Sequence, residues 1–281
     1  RDNNCRETKS LVEDYHSSGE SPISLYPLYQ YDKVYEDRLE NREPRLRQTI
    51  LHPEDQPIYN YGNHDFDRYA YPRVQGMSGG QRIYTGYHII KTFEAGAAYA
   101  SYNSSQTPAI ILRYAEVLLN YAEAAAELGM LDQAGLDMSI NLLRDRVGMA
   151  HLDLANVPVD PRYTAWHPDP LIVEIRRERR IELFMEGFRY DDLRRWKWGK
   201  MLENKDYGMR WDDANKNRVD PEGLVTVGFS DVNGVPYLEV YKGTDFETPE
   251  FDEAKHYLWP LPLSAISQNP NLGQNPGWGS E

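Results

Sequence analysis

Ile111, Ala115, Leu118, Ala122 and Ala125 follow one another at spacings of four, three, four and three residues. At 3.6 residues per turn these five share one face, so residues 110–128 are expected to form a helix with a single apolar stripe. Gly129, just after Leu128, supplies a C-terminal stop. Leu136, Ile140, Leu143 and Val147 repeat the spacing in a second expected helix from Asp132 to Val147, closed by Gly148. A connection of a few residues makes two such helices pack antiparallel. Ala115, Ala122, Ala124, Ala125 and Ala126 allow close approach. The form is a tetratricopeptide-like hairpin. A single hairpin cannot cover its own faces, so the fold requires further helices from elsewhere.

Around the hairpin the patterning is different. Residues 1–108 are rich in Pro, Gly, Asn and Asp and lack long apolar periodicity. They read as a loop-rich region with a short strand near Arg82–Ile90. After Pro158, Pro161 and Pro168, Asp169-Pro170 opens a third helix running to about Gly187, with Asp as cap and Pro in the first turn. A fourth helical segment, Tyr190 to about Leu202, is rich in Trp and Arg. Residues 205–281 return to loops, short strands and a tail rich in Pro and Asn. The expected fold is therefore mainly α: a loop-rich region over 1–108, a helical region over 109–204, and a loop and short-strand region over 205–281.

Composition removes some function classes. A net charge of −13 argues against nucleic acid, whose phosphates require a face dominated by Lys and Arg. It argues equally against docking on anionic lipid through a basic patch. The 21 Tyr and 6 Trp outnumber the 7 Phe, and their flat apolar faces with polar edges suit wet binding surfaces as well as helix packing. Cys5 is the only cysteine, so no intramolecular disulfide forms. The chain opens on Arg1 rather than Met, as expected of a processed or truncated piece.

Few residues are spaced for chemistry. Glu178, Glu182 and Glu186 stand four apart on the third helix, and paired carboxylates can do acid–base work. Arg179 and Arg189 lie close to them in sequence, however, and Arg lowers a carboxylate's pKa where a general acid needs it raised. Arg179, Glu182, Glu186 and Arg189 are read instead as a partly buried network that locks helices together. Asp213, Asn215 and Asn217 mimic the start of a calcium loop, but Arg218 stands where Gly is needed. Met77-Ser78-Gly79-Gly80 is Gly-rich without a clear helix after it, and the seven His lack zinc-ligand spacing. No catalytic residue, cofactor or metal is assigned. Trp196 and Trp198 are expected in the core, while Trp166 and Trp211 are left open.

Several ordered segments together resemble one family. Leu112 to Ala124 (LRYAEVLLNYAEA) and Ile140 to Gly148 (INLLRDRVG) look like consecutive helices of SusD/RagB proteins. Glu178-Arg179-Arg180-Ile181-Glu182-Leu183 and Glu186 to Trp196 (EGFRYDDLRRW) resemble the family's next helical segment. Tyr257-Leu258-Trp259-Pro260-Leu261-Pro262, Asn269-Pro270-Asn271-Leu272 and Gln274 to Trp278 resemble its C-terminal close. Upstream, Leu11 to Tyr15, Asn41 to Leu46 (NREPRL) and Thr85-Gly86-Tyr87 with Lys91 are similar too, with Glu43 where the family has Asp.

The resemblance implies a mostly helical fold built on tetratricopeptide-like pairs, in proteins roughly twice this length whose N-terminal helical half is absent here. It implies a lipid-anchored protein of the Bacteroidetes outer surface that caps a SusC-like TonB-dependent transporter and captures glycan or peptide without cleaving it. Sugars stack on exposed aromatic faces. The loop from Pro53 to Arg73 is therefore the expected binding region, with Tyr59, Tyr61, Tyr69 and Tyr71 for stacking and Asn60, Asn63, His64, Asp65 and Arg73 for hydrogen bonds. The alternatives are that these tyrosines pack the loop on the body, that the ligand is a peptide, or that the chain is a helical interaction module with no small ligand.

Overall fold

The structure is a computed structural model, and it describes residues 9–19, 21–25, 34–55, 71–72, 74, 83–92, 108–205, 207–220, 223–225 and 228–279. In chain order these form α1 (Lys9–Asp14), α2 (Pro44–Thr49), α3 (Tyr114–Glu127), α4 (Gln133–Asp137), α5 (Ile140–Asp145), α6 (Pro170–Glu182), α7 (Arg189–Arg195), β1 (Tyr207–Arg210), α8 (Asp213–Val219), β2 (Phe229–Val232), β3 (Val235–Glu239) and α9 (Leu263–Gln268). The fold is mostly helical with a few short strands. The chain divides into two units, residues 1–187 with 206–242 and residues 188–205 with 243–281. Among the described residues no helix is long and apolar enough to cross a membrane.

In the first unit, the expected stripe becomes α3, which buries Ala115, Leu118, Leu119 and Ala122 against α5 and α6. Ile111 precedes the helix and is 92% exposed. Gly129, with φ +64°, makes the C-terminal stop that an L side chain would resist. The second expected helix breaks into α4 and α5. Ser139 departs from helical geometry (φ −133°, ψ −90°), and its Oγ donates to the Gly135 carbonyl at 2.5 Å, competing with the backbone for that acceptor. Tyr114, Val117, Tyr121, Met138 and Leu142 remain exposed on the hairpin.

Asp169 caps α6 as expected, its Oδ1 accepting the Leu171 N–H at 2.8 Å. The helix ends at Glu182, short of Gly187. Lys91 Nζ donates to the carbonyls of Glu182 (2.8 Å) and Phe184 (2.6 Å), and the chain turns through Met185 and Gly187 at positive φ. Captured carbonyls have no further helical donors to accept.

Leu11, Val12, Tyr15, Leu46, Ile50, Tyr87, Ile181, Met209, Trp211 and Leu238 build the core of this unit. The expected strand at Arg82–Ile90 shrinks to one bridge, Ile89 with Ile50; Arg82 lies outside the described residues. A turn closed by Gly86 N–H on the Ile83 carbonyl interrupts it. The sheet runs β1-β3-β2, all antiparallel. Asn233 and Gly234, both at positive φ, make the two-residue turn between β2 and β3. The calcium-loop mimic is a helix: Asp213, Asn215 and Asn217 lie in α8, and Asp212 accepts from both the backbone and side-chain N–H of Asn215.

In the second unit, the expected helix from Tyr190 to Leu202 splits into α7 and a 3₁₀ turn at Gly199–Glu203, separated by Lys197 at φ +60°. Trp196 and Trp198 are buried as expected, their rings 5.3 Å apart and edge to face. A Cβ on Gly199 would stand 2.2 Å from the Phe251 ring, so only glycine admits that close approach.

Candidate functional site

The most concentrated chemistry in the first unit lies along α6. Glu174, Glu178 and Glu182 project at intervals of four and are all buried. Glu174 accepts from Arg177 Nε at 2.9 Å and from Arg144 Nη2 at 2.5 Å. Glu178 accepts from Arg144 Nε (2.9 Å), Arg177 Nη2 (2.7 Å) and Arg45 Nη1 (2.7 Å). Glu43 joins them through Arg45 Nε (2.8 Å) and Arg177 Nη1 (3.1 Å). Glu182 takes Arg113 (2.6 Å) and Arg146 (2.8 Å), and Glu186 takes Arg113 (2.6 Å) and Lys91 (2.8 Å).

Burial by itself pushes these carboxyls up, but the facing guanidinium groups win. Arg45, Arg177 and Arg144 hold Glu178 well below the usual carboxylate range, and Arg177 with its neighbours does the same to Glu174. Arg113 and Lys91 lower Glu186. Each of these three groups is ionised at neutral pH and surrounded by donors, the opposite of a carboxyl poised to give up a proton.

The partners differ from the expected ones. Arg179 donates to Asn120 Oδ1 at 2.8 Å, while Glu182 and Glu186 are met by Lys91, Arg113 and Arg146. Arg189 belongs to the second unit, where its guanidinium lies 6.0 Å over the Trp196 ring. A local pair on one helix is worth only about 0.2–0.5 kcal/mol, so guanidinium forks arriving from other elements displace it.

The upstream motifs converge on this spine. Glu43 and Arg45 come from the NREPRL segment, and Arg42 donates to the carbonyls of Tyr15 (2.7 Å) and Arg38 (2.8 Å). Asp14 pairs with Arg180 and accepts from Tyr163 Oη at 2.8 Å. His16, which sequence patterning did not single out, is fully buried with Nε2 3.5 Å from Glu174 Oε2. Among the described residues neither of its ring nitrogens has a hydrogen-bond partner. Burial, then the Arg177 charge, pushes its pKa down to about 4.

Of the expected ligand residues, Tyr59, Asn60, Tyr61, Asn63, His64, Asp65, Tyr69 and Arg73 lie outside the described residues, as does the Met77–Gly80 run. Tyr71 is partly buried against the core. Its ring meets Tyr35 edge-on at 6.2 Å, and its hydroxyl donates to Glu36, which also pairs with Arg218 at 3.3 Å. Beside it, Arg38 donates to the hydroxyls of Tyr87 (3.0 Å) and Tyr237 (3.2 Å). An open recess of about 170 Å³ is lined there by Val34, Tyr35, Arg38, Met209, Arg210 and Asn215. That space opens to solvent and encloses no room even for a water molecule, so the recess is a notch rather than a ligand cavity.

Glu40, His52 and Glu54 bring potential metal-ligand atoms within 4.8 Å of one another. His52 Nδ1 accepts the Glu54 backbone N–H at 3.2 Å, and Nε2 lies 3.1 Å from Glu40 Oε1. A metal-binding imidazole does the reverse, donating through its second nitrogen. The arrangement reads as a polar contact.

Comparison with known proteins covers nearly the whole chain. The sequence model of the SusD family matches residues 3–278. A SusD-like protein P2 of Formosa agariphila is 28% identical over 193 residues, 68% of this chain and 30% of the relative. The crystal structure of a SusD-like carbohydrate binding protein from Bacteroides fragilis superimposes with a TM-score of 0.66 at 28% identity, covering 94% of this chain and 47% of that one. A second SusD-like protein from the same organism gives 0.62 at 26% identity, covering 96% and 46%. The chain thus spans less than half the length of each of these relatives.

Proposed function

This chain belongs to the SusD family, and on that premise we propose that it is part of a glycan-binding protein of the bacterial cell surface. In this reading the protein is held at the outer membrane by a lipid. It captures oligosaccharide and hands it to a SusC-like TonB-dependent transporter without cleaving it. The observation that carries the reading is the match over residues 3–278 together with the likeness to a SusD-like carbohydrate binding protein across 94% of the chain. The carboxylates on α6 and just after it support the non-catalytic part, since Glu174, Glu178 and Glu186 are held ionised by Arg and Lys. The exposed Tyr114, Val117 and Tyr121 on α3 support a further element of the design, that the hairpin packs on helices of the longer protein.

Native electrophoresis in gels containing polysaccharide, followed by calorimetry, tests the reading. Retardation of the wild-type chain is expected, with weaker binding in Tyr59→Ala, Tyr61→Ala or Tyr69→Ala. Unchanged affinity in all three variants would sink the loop as the binding region. Oligosaccharide products released by the purified chain would overturn the non-catalytic assignment.

A further inference from the structure

We propose that Trp259 and Tyr190, in the second unit, form a preformed stacking platform for a pyranose ring of a neutral glycan. This site rests on the carbohydrate-binding reading and lies outside the Pro53–Arg73 loop. Trp196, Trp198 and Trp211 are buried, and Trp166 and Trp278 are half-buried. Trp259 instead leaves 64% of its surface exposed. An indole costs a great deal of apolar hydration when left in water, and a flat ring with a polar rim is the surface on which the C–H face of a sugar rests.

The surroundings supply what a lone exposed ring lacks. Tyr190 stands 5.9 Å from Trp259, tilted by 44°, so the two rings make a bent surface. The Arg194 guanidinium lies 5.5 Å from the Tyr190 ring and 5.7 Å from the Trp259 ring, bracing both. Arg194 is itself fixed by donation from Nε to the Tyr257 carbonyl at 3.2 Å. Its Nη1 sits 3.4 Å from Asp191 Oδ1, and the Asp191 side chain is 76% exposed. An exposed carboxylate beside a guanidinium offers an acceptor next to a donor, the pair that adjacent sugar hydroxyls require. The pair carries no net charge, which is why the proposed ligand is neutral.

The platform is rigid before anything binds. Asn275 Nδ2 donates to the Trp259 carbonyl at 2.6 Å. Gln274 clamps Leu261 from both sides, accepting its N–H at 2.8 Å and donating to its carbonyl at 3.0 Å. Pro260 and Pro262 flank that clamp and restrict φ. Little ordering is left to be done on binding, which favours affinity for a weakly held ligand such as a sugar.

The test uses the full chain in native gels containing laminarin, soluble starch, arabinoxylan, galactomannan or pectic galactan, with calorimetry on whichever retards it most. Trp259→Ala and Tyr190→Ala are each expected to weaken binding at least about tenfold, with Trp259→Phe retaining most of it. Asp191→Ala, at a solvent-facing position, gives an independent loss that a folding defect would not explain, and melting curves check that all variants fold. Wild-type affinity in Trp259→Ala overturns the platform. If Tyr59→Ala, Tyr61→Ala or Tyr69→Ala abolishes binding while Trp259→Ala leaves it intact, the carbohydrate-binding reading stands and the platform falls. No retardation of the wild-type chain in any gel overturns both.

Discussion

Arg45 Nη1 donates to Glu178 Oε2 at 2.7 Å, joining residues 133 positions apart whose side chains are 4% and 0% exposed. Glu178 also accepts from Arg144 and Arg177, so its removal takes a carboxylate partner from three buried cations at once. Breaking a buried pair from one side costs about 3–5 kcal/mol, whereas replacing both partners by apolar groups can be close to neutral. Glu178→Ala is expected to cost at least that much in urea denaturation. A double variant, Arg45→Met with Glu178→Leu, is expected to cost less than the sum of the two single changes, because the sites are coupled. A strictly additive pair would contradict the network.

Acid should act in two stages. His16 is held neutral, with its pKa down at about 4 against about 6.5 in an unfolded chain. Between those values the unfolded state binds more protons, so stability rises with pH and falls on acidification. The expected loss from pH 6.5 to 4 is about 3 kcal/mol from this residue. His16→Gln should flatten the stability profile in that window. Glu174, Glu178 and Glu186 have depressed pKa values, so their stabilisation is present above the usual carboxylate range and is lost only as pH falls further. A His16→Gln profile parallel to wild type between pH 6.5 and 4 would refute the assignment.

Gly86 answers two demands at once. Its φ is +78°, and a Cβ there would stand 2.3 Å from the Met209 sulfur. Gly129, at φ +64°, faces open space. Gly129→Ala should therefore cost only the backbone term, about 1–2 kcal/mol. Gly86→Ala should cost about 1–3 kcal/mol more, through displacement of Met209 from the core. Equal losses in the two variants would show that Met209 yields freely.

The hairpin's outer face should betray itself in this chain on its own. Tyr114, Val117 and Tyr121 share one exposed side of α3. Exposed apolar faces of this kind bind hydrophobic dyes and self-associate. Val117→Lys with Tyr121→Lys is expected to reduce both in dye fluorescence and sedimentation velocity, without lowering the melting temperature. A monomeric wild-type chain that binds no dye would argue against an interaction surface there.

Rules that act within about four residues were legible in the sequence. The stripe from Ala115 to Ala122, the stop at Gly129 and the Asp169 cap are each set by helical periodicity or by one nearby hydrogen bond, and each stands where the residues predict. The Asn233-Gly234 turn carries an equally local signal, an Asn-Gly pair between two short strands. The break at Ser139 was harder to foresee, because a serine hydroxyl competes with the helix only in one rotamer. Partner choice was out of reach altogether. Glu182 has Arg179 three residues before it, yet pairs with Arg113 and Arg146. Which guanidinium arrives is decided by the elements buried against α6, where losing water makes the best-placed donor win over the nearest one. The burial of His16 and the exposure of Trp259 follow the same logic: neither sits in a periodic segment, so only the packing of the folded chain decides which side chain faces water.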